Sequence, residues 1–396
     1  MTALANHFGL EMIQYDAPNA FLNAKLDRKL YVYTPDVFQH RGGLLLEVLR
    51  ALYGLKESPQ LWFKELRKTM LSLGLKQVPG FPCLYTNKWL ILFVYVDDIV
   101  MAFHPSNRHL HREFERSMQE HYDLKCLGPL GWFLGIRVVR DTKSRKLWLI
   151  QDAYIDKVAV QFGIKLTGRS CDMPMSENWL QRSMEEPNAA RTKLYQQLVG
   201  HLGYLTCCTR PDCSRSHVIL ACHLTNPGEA HMRAARRVWL YILSTKSLAL
   251  QAEACNEGAQ EYIADAGNKD PVFFRASDAA FADEPDTRRS SQGYTFRLYG
   301  MTIDWKSTVQ RTVTKSTTEA ELLALSLAGS QMEEWSRFFK GVSFQLDETP
   351  TLWCDNQQTV GIATKQEDKL NSKLKHVDIH QSWIRQEVEA GRLKVK

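Results

Sequence analysis

The sequence runs to 396 residues, 44% hydrophobic and 24% charged, which excludes a disordered chain and is too long for one ordinary core, so two or three domains are expected. Lysine and arginine outnumber aspartate and glutamate by 50 to 44, a mild excess of 6 that suits a local groove for a phosphate backbone without requiring one. The longest apolar run, Trp89 to Val96, falls well short of the roughly 18 residues of a membrane helix, and Met1 to Leu10 carries no secretory pattern, so a soluble, non-secreted chain in the cytoplasm or nucleus is expected.

In chain order, Glu11 to Tyr15 reads as a short strand ending at Asp16, and Lys29 to Tyr33 as another. Pro59 to Leu73 has helical apolar spacing, with Trp62, Phe63, Leu66, Met70 and Leu73 on or near one face. Trp89 to Phe103 reads as two apolar strands around Asp97-Asp98, Arg108 to His121 as a helix, and Gly135 to Arg140 with Lys146 to Ile150 as a hairpin. From about Asp152 to Leu250 the pattern is helical, most clearly at Tyr195 to Cys207 and His231 to Leu243. Gly258 to Asp270 is polar, as a linker would be. Strands follow at Val272 to Ser277, Gly293 to Tyr299 and Thr302 to Lys306, then a helix from Thr318, a strand at Thr351 to Cys354 and a helix from Asp378. That β-β-β-α-β-α order predicts one mixed α/β domain.

Nine cysteines in a chain without a signal read as reduced thiols. Cys207, Cys208, Cys213 and Cys222 lie near His217 and His223, but no C-x2-C pair accompanies them, so buried thiols on a helix pair are expected rather than zinc.

Asp97-Asp98 is the sharpest chemical signal. Two adjacent acids at the turn of an apolar hairpin repel one another unless a cation neutralises them, and Asp-Asp followed at once by Ile-Val is poor chemistry for a plain type I′ turn. Asp16, at the end of a strand, supplies a third carboxylate. Three such groups can hold two Mg2+ (or Mn2+) ions, one activating a primer 3′-hydroxyl and one holding a triphosphate.

Asp16-Ala17-Pro18-Asn19-Ala20-Phe21-Leu22-Asn23 resembles motif A of copia/Ty-type LTR retrotransposon reverse transcriptases. Ala51-Leu52-Tyr53-Gly54-Leu55-Lys56-Glu57-Ser58-Pro59 resembles their motif B, and Tyr95-Val96-Asp97-Asp98 their motif C. Phe133-Leu134-Gly135-Ile136 is similar to their primer-grip turn, and Thr209-Arg210-Pro211-Asp212 to a signature of the connecting region. The resemblance makes Asp16, Asp97 and Asp98 the polymerase metal site and Phe21 the steric gate against a ribose 2′-hydroxyl, where a core aromatic is the plainer reading. It puts Tyr53, Gly54, Lys56, Phe133 and Gly135 against substrate. Ala24 stands where the family has glycine, which is tolerable unless φ there must be positive.

The second acid set is Asp278 after a strand, Glu321 in the first turn of a helix and Asp355 at a strand end. Alone, Thr318-x-x-Glu321 reads as a capping box. Ser277-Asp278, Ser316-Thr317-Thr318-Glu319-Ala320-Glu321 and Cys354-Asp355-Asn356-Gln357 resemble the RNase H module of the same elements, which makes all three acids metal ligands, with Glu319 the rival to Glu321. The same resemblance leads one to expect a fourth acid beyond the helix near Asp378 and a fingers region well before Asp16, and hence a chain cut short at both ends.

His376 and His380, four apart among Lys373, Lys375 and Arg385, read as a solvated basic face touching nucleic acid rather than as metal ligands. The expectation is therefore an α+β, mixed α/β chain: a right-hand polymerase palm over about 1–150, a helical thumb and connection over 151–270, and an RNase H-like domain over 271–396. Its implied partners are RNA template, DNA primer, RNA–DNA hybrid and deoxynucleoside triphosphates, with no membrane, and the family implies a virus-like particle. Alternatives are a catalytically impaired nucleic-acid binder and a polymerase whose nuclease is silent.

Overall fold

The computed structural model describes residues 1–34, 45–166, 172–175, 179–253, 272–346, 349–364 and 375–396, with side chains from Asp378 onward in the last stretch. Helices and sheets are mixed throughout, and the chain divides into two compact units: Phe8–Leu130 with Ser336–Phe344, and Thr2–His7, Gly131–Trp335 and Gln345–Lys396. The hairpin between Gly135 and Ile150, assigned from sequence to the first domain, groups with the second unit. The expected linker from Gly258 to Asp270 lies outside the described residues.

The first unit holds β1 (Glu11–Asp16), β2 (Tyr31–Tyr33), β3 (Leu45–Glu47), β4 (Lys76–Val78), β5 (Phe81–Thr86), β6 (Leu90–Tyr95), β7 (Asp98–Phe103) and β8 (Lys125–Pro129). Six of them form an antiparallel sheet in the order β4-β5-β6-β7-β1-β8, while β2 and β3 pair apart. β7 is buried on both faces, which explains why Ile99 to Phe103 is apolar without alternation. Trp62, Leu66 and Met70 of the helix Ser58–Ser72 and Phe114 and Met118 of the helix Arg108–Gln119 share one core with β1, β6 and β7. Pro59 stands in the first turn of the former helix, where a missing N–H costs nothing.

The second unit contains β9 (Trp132–Phe133), β10 (Ile136–Asp141), β11 (Lys146–Ile150) and β12 (Leu250–Glu253), an antiparallel sheet ordered β12-β11-β10-β9. The helices Asp152–Gln161, Ala189–Cys208, Ser214–Ala221 and Glu229–Ser244 bury Tyr195, Leu198, Leu202, Trp239 and Ile242 in a common core. β13 (Phe273–Ala280), β14 (Ser291–Leu298) and β15 (Met301–Val309) then form an antiparallel sheet. The helix Thr317–Gly341 follows, then β16 (Thr351–Leu352), the helices Gln357–Thr364 and Lys375–Glu389, and β17 (Lys394–Val395), parallel to β16. Ser277 N donates to Trp353 O (3.0 Å) and Trp353 N to Arg275 O (2.9 Å), which joins the two small sheets in the order β15-β14-β13-β16-β17.

Sequence reading foresaw neither the helix Gln357–Thr364 nor β17. The strand expected at Thr351 to Cys354 has its regular part at Thr351–Leu352, and Trp353 and Cys354 extend its pairing, the first as a parallel bridge to Ala276 on β13 and the second by donating its N–H to Lys396 O (2.9 Å).

Candidate functional site

β1 and β7 run antiparallel with Asp16 in register opposite Asp98. β6 and β7 pair through Tyr95 and Asp98, so Val96 and Asp97 form the two-residue turn and only Asp97 of the acid pair lies within it. Val96 has φ 58, a left-handed value that a β-branched residue adopts only when its surroundings impose it. Two hydrogen bonds do so: Trp62 Nε1 donates to Val96 O (2.7 Å) and Ala17 N to Asp97 O (2.9 Å). Motif-like segments far apart in sequence are thereby bound to one turn.

Burial raises the Asp98 carboxyl above its ordinary range, and the neighbouring Asp97 and Asp16 charges add to this, while Gln14 Nε2, donating to Asp98 Oδ1 (3.3 Å), pulls the other way. The three acids do not all close to within 4.8 Å of one another. Their oxygen-only donor set suits a hard dication such as Mg2+ or Mn2+.

Phe21 lies in the short helix Ala20–Asn23, is buried, and packs against Tyr53 with ring centroids 4.6 Å apart. Gly54 has φ 95, which strains any side-chain-bearing residue, and Tyr53 and Lys56 beside it are exposed. Ala24 has φ −93, so a methyl is accommodated where the related motif has glycine. In the second unit, Leu134 (φ 49) and Gly135 (φ 73) make a two-residue turn of the I′ kind between Phe133 and Ile136. Tyr204 Oη donates to Leu134 O (2.6 Å), and a Cβ on Gly135 would meet that hydroxyl at 2.8 Å.

Glu321, Cys354 and Asp355 form the second cluster, their ligand atoms all within 4.8 Å. The Glu321 carboxyl is pushed up to about 7, first by burial and then by the Asp278 and Asp355 charges, although Ala279 N donates to its Oε1 (3.2 Å). Its Oε2 is buried and has no hydrogen-bond partner among the described residues. A buried carboxylate oxygen without a partner, beside Asp355 and in the field of Asp278, fits a divalent metal, although Asp278 is not among the ligand atoms that close to within 4.8 Å. The helix cap falls on the other glutamate. Ser316 Oγ accepts from Glu319 N (3.2 Å), and Glu319 Oε2 accepts from Lys315 N (2.7 Å), which leaves Glu321 free of a capping role. Cys354, given no role from sequence, is a buried neutral thiol pushed up to about 11 by burial.

Arg210 is 1% exposed; its guanidinium donates to both Asp212 oxygens (3.0 and 2.8 Å) and to Thr245 Oγ1 (2.8 Å), while Tyr241 Oη donates to Asp212 Oδ2 (3.0 Å). Among the described residues Cys207, Cys208, Cys213, Cys222, His217 and His223 are not gathered into a metal cluster, and of the thiols expected to be buried only Cys213 is, with Cys208 half-buried and Cys207 and Cys222 exposed. Arg385 is half-buried and donates to Ile362 O (2.7 Å), and His380 Nδ1 pairs with Ser326 Oγ (2.7 Å), so these two do not form a solvated face. Lys373 lies outside the described residues, as do the side chains of Lys375 and His376. Among the described residues no helix is long and apolar enough to cross a membrane.

Residues 1–177 match the family described as reverse transcriptase (RNA-dependent DNA polymerase). Across 99% of its length the chain is 30% identical to the retrovirus-related Pol polyprotein from transposon TNT 1-94 of Nicotiana tabacum, and across 96% it is 27% identical to that from transposon RE1 of Arabidopsis thaliana. It spans 29% and 25% of the lengths of those two polyproteins. It is also 28% identical, over 78% of this chain and 98% of the relative, to a putative transposon Ty5-1 protein of Saccharomyces cerevisiae.

Proposed function

The chain belongs to the copia/Ty-type retrotransposon Pol polyproteins, and we propose that it combines RNA- and DNA-templated DNA synthesis with hydrolysis of the RNA strand of an RNA–DNA hybrid. The observation that carries the polymerase half is the β1–β7 register, which sets Asp16 opposite Asp98 beside a turn bearing Asp97. In that reaction a primer 3′-oxygen attacks the α-phosphorus of a deoxynucleoside triphosphate and pyrophosphate leaves. Asp16, Asp97 and Asp98 would hold one pair of Mg2+ or Mn2+ ions and Asp278, Glu321 and Asp355 another, the ions supplying charge neutralisation and an activated oxygen nucleophile. Phe21, wedged against Tyr53, limits the room at the sugar; Gly54 and the exposed Lys56 meet nucleotide and template; Phe133 and Gly135 meet the primer.

The nuclease half rests on three acids from β13, the helix Thr317–Gly341 and the residue run after β16, with a buried orphan oxygen on Glu321. With its carboxyl pushed up to about 7, Glu321 is partly protonated near neutral pH, and a bound cation would displace that proton. On this reading 1–150 act as palm, 151–270 as thumb and connection and 271–396 as an RNase H-like domain.

Primer extension and hybrid cleavage, each in Mg2+ and Mn2+, test the two halves separately. Asp97→Asn/Asp98→Asn is expected to abolish extension and spare cleavage, and Asp278→Asn to do the reverse. Extension that survives the double substitution removes the polymerase assignment.

A further inference from the structure

Tyr204 and Thr206 stand near the end of the helix Ala189–Cys208, two residues and so about 3 Å apart along its axis. The last carbonyls of a helix lack intrahelical donors. The Arg210 N–H that a further turn would give to Thr206 O goes instead to Leu205 O (3.0 Å), which also accepts from Thr209 N (3.0 Å). Thr206 is buried, and Trp305 Nε1 on β15 donates to its carbonyl at 2.7 Å. That donor belongs to the sheet whose first strand, β13, carries Asp278. A second tether runs beside it. Asp283 Oδ2 accepts from Arg215 Nη2 (2.9 Å) on the helix Ser214–Ala221 and from Ser291 Oγ (2.8 Å) on β14. The helices Ala189–Cys208 and Ser214–Ala221 touch closely, for a Cβ on Gly203 would meet His217 Nε2 at 2.8 Å.

The same stretch of helix holds the turn between β9 and β10. Tyr204 Oη donates to Leu134 O (2.6 Å), and its ring stands edge-on to Tyr154 with centroids 4.8 Å apart. Leu134 has φ 49, a value that a residue with a Cβ keeps only where its surroundings impose it, and the Tyr204 hydroxyl is one of the groups that do so. Any slide or fraying of the helix end that freed Thr206 would carry Tyr204 with it.

We propose that the β13–β15 sheet is the abutment for the Leu134–Gly135 turn, with Trp305 as the positioning residue: by fixing Thr206 it fixes the helix end, and so the Tyr204 hydroxyl that holds the turn. The sheet then has a second task, the retention of primer, that uses none of its acids. The retention half rests on the reading of Phe133 and Gly135 as primer contacts; the coupling of Trp305 to the turn does not.

Hydrogen exchange tests the coupling without any activity. Trp305→Phe keeps an aromatic ring and removes the N–H. The amides of Phe133 and Ile136, paired across the turn, should then exchange about 3- to 10-fold faster, the worth of one hydrogen bond, with β1 and β7 unchanged. Tyr204→Phe should quicken the same amides at least as much, and adding Trp305→Phe to it should change nothing further, because the two act in series. A tryptophan that only stabilised its surroundings would quicken β14, β15 and the helix end and leave the turn alone. That result overturns the coupling, as do additive effects in the double variant. Should Trp305→Phe not fold, benzothienylalanine in place of Trp305, which keeps two fused rings and lacks the N–H, decides by the same amides. Retention is read from the dissociation rate of a labelled DNA primer annealed to an RNA template. Trp305→Phe and Gly135→Ala, whose Cβ would meet the Tyr204 hydroxyl, should each raise it about threefold or more. A rate altered in Gly135→Ala but not in Trp305→Phe overturns the retention task alone. A rate unchanged in both, or no binding by the unsubstituted chain, removes the primer reading and the retention task together, while the exchange data still judge the coupling.

Discussion

Asp16 faces Asp98 directly across the antiparallel β1–β7 ladder, and Gln14, two residues earlier on the same strand face, donates to the Asp98 carboxylate (3.3 Å). Like charges so placed resist joint ionisation, and the burial that raises Asp98 compounds this. A divalent cation relieves both penalties. Calorimetry should therefore show Mn2+ or Mg2+ binding that strengthens as pH rises through the acid range and vanishes in Asp97→Asn/Asp98→Asn. Gln14→Leu removes the donor that favours the ionised form and should move the binding curve to higher pH, with up to about tenfold weaker binding in the acid range, the lower end of what such supporting groups contribute. Identical titrations for the double Asn variant and the unsubstituted chain would show that these acids do not hold the metal.

Phe21 sits between two roles, a packed aromatic against Tyr53 and a limit on the sugar. Phe21→Val is expected to lower stability by about 1–3 kcal/mol through lost packing, less than the Phe→Ala range because part of the volume remains. If Phe21 also gates the nucleotide, the same substitution raises ribonucleotide relative to deoxyribonucleotide incorporation on a fixed primer–template. A destabilised but active variant with an unchanged ratio leaves only the packing role.

The acids could be singled out in the sequence because each was expected at a strand end or early in a helix; in the structure Asp16 closes β1, but Asp98 opens β7, Asp278 lies inside β13 and Asp355 comes three residues after β16. The groups that position them could not be singled out. Nothing local marks Trp62 as a donor to Val96 O, since its place on the apolar face of Ser58–Ser72 predicts burial alone. A β-branched residue is the last one expected at positive φ, so Val96 read as strand. Glu321 was preferred to Glu319 from the motif's register, and the capping box that the sequence offered at Glu321 is instead made by Glu319, as the Lys315 and Ser316 hydrogen bonds show. β17 was missed because two residues give no periodicity, and its pairing with β16 is a long-range parallel contact. Of the cysteines near His217 and His223, expected to be buried, Cys213 is buried but Cys207 and Cys222 are exposed, because helical spacing does not tell which face is covered, and Arg210 and Asp212 were recognisable only as a signature, with no hint that they form a buried pair.

That pair makes a separate prediction. Arg210 is enclosed, and its guanidinium neutralises Asp212, whose carboxyl burial alone would push up but which the arginine and Tyr241 hold below its ordinary range. Removing one partner strands the other's charge, so Arg210→Met should cost about 3–5 kcal/mol in a denaturant titration. Replacing both, Arg210→Met with Asp212→Leu, should recover much of the loss. Because the Asp212 value is depressed, the stability it contributes is present above its unfolded pKa and disappears as pH falls through the folded value, so the unsubstituted chain loses more stability on acidification than the double variant. A single substitution as mild as the double one would mean that the pair contributes nothing.

Glu321 titrates in the opposite sense. Its folded value of about 7 lies above the ordinary 4.5, so the protonated form favours the fold; that contribution is complete below the unfolded value and is lost as pH rises through 7. In EDTA the melting temperature should thus fall between pH 5 and pH 8 for this group's part. Mg2+ replaces the proton as the neutralising charge, so its stabilisation should be small at pH 5 and larger, of the order of a few degrees, at pH 8. Glu321→Gln keeps a neutral side chain at every pH. It should flatten the EDTA profile, melt higher than the unsubstituted chain at pH 8 without metal, and respond far less to Mg2+. Cys354 separates hard from soft metals at the same place: its thiol, pushed up to about 11, is not ionised at neutral pH, so Cys354→Ser should leave the Mg2+ response intact. Cd2+ can displace the thiol proton and bind sulfur alongside Glu321 and Asp355, with an affinity that rises with pH and drops in Cys354→Ser. The decisive measurement is the Mg2+-induced shift at pH 8 in Glu321→Gln, for a shift as large as in the unsubstituted chain would place the metal elsewhere and leave the orphaned Glu321 oxygen without a role.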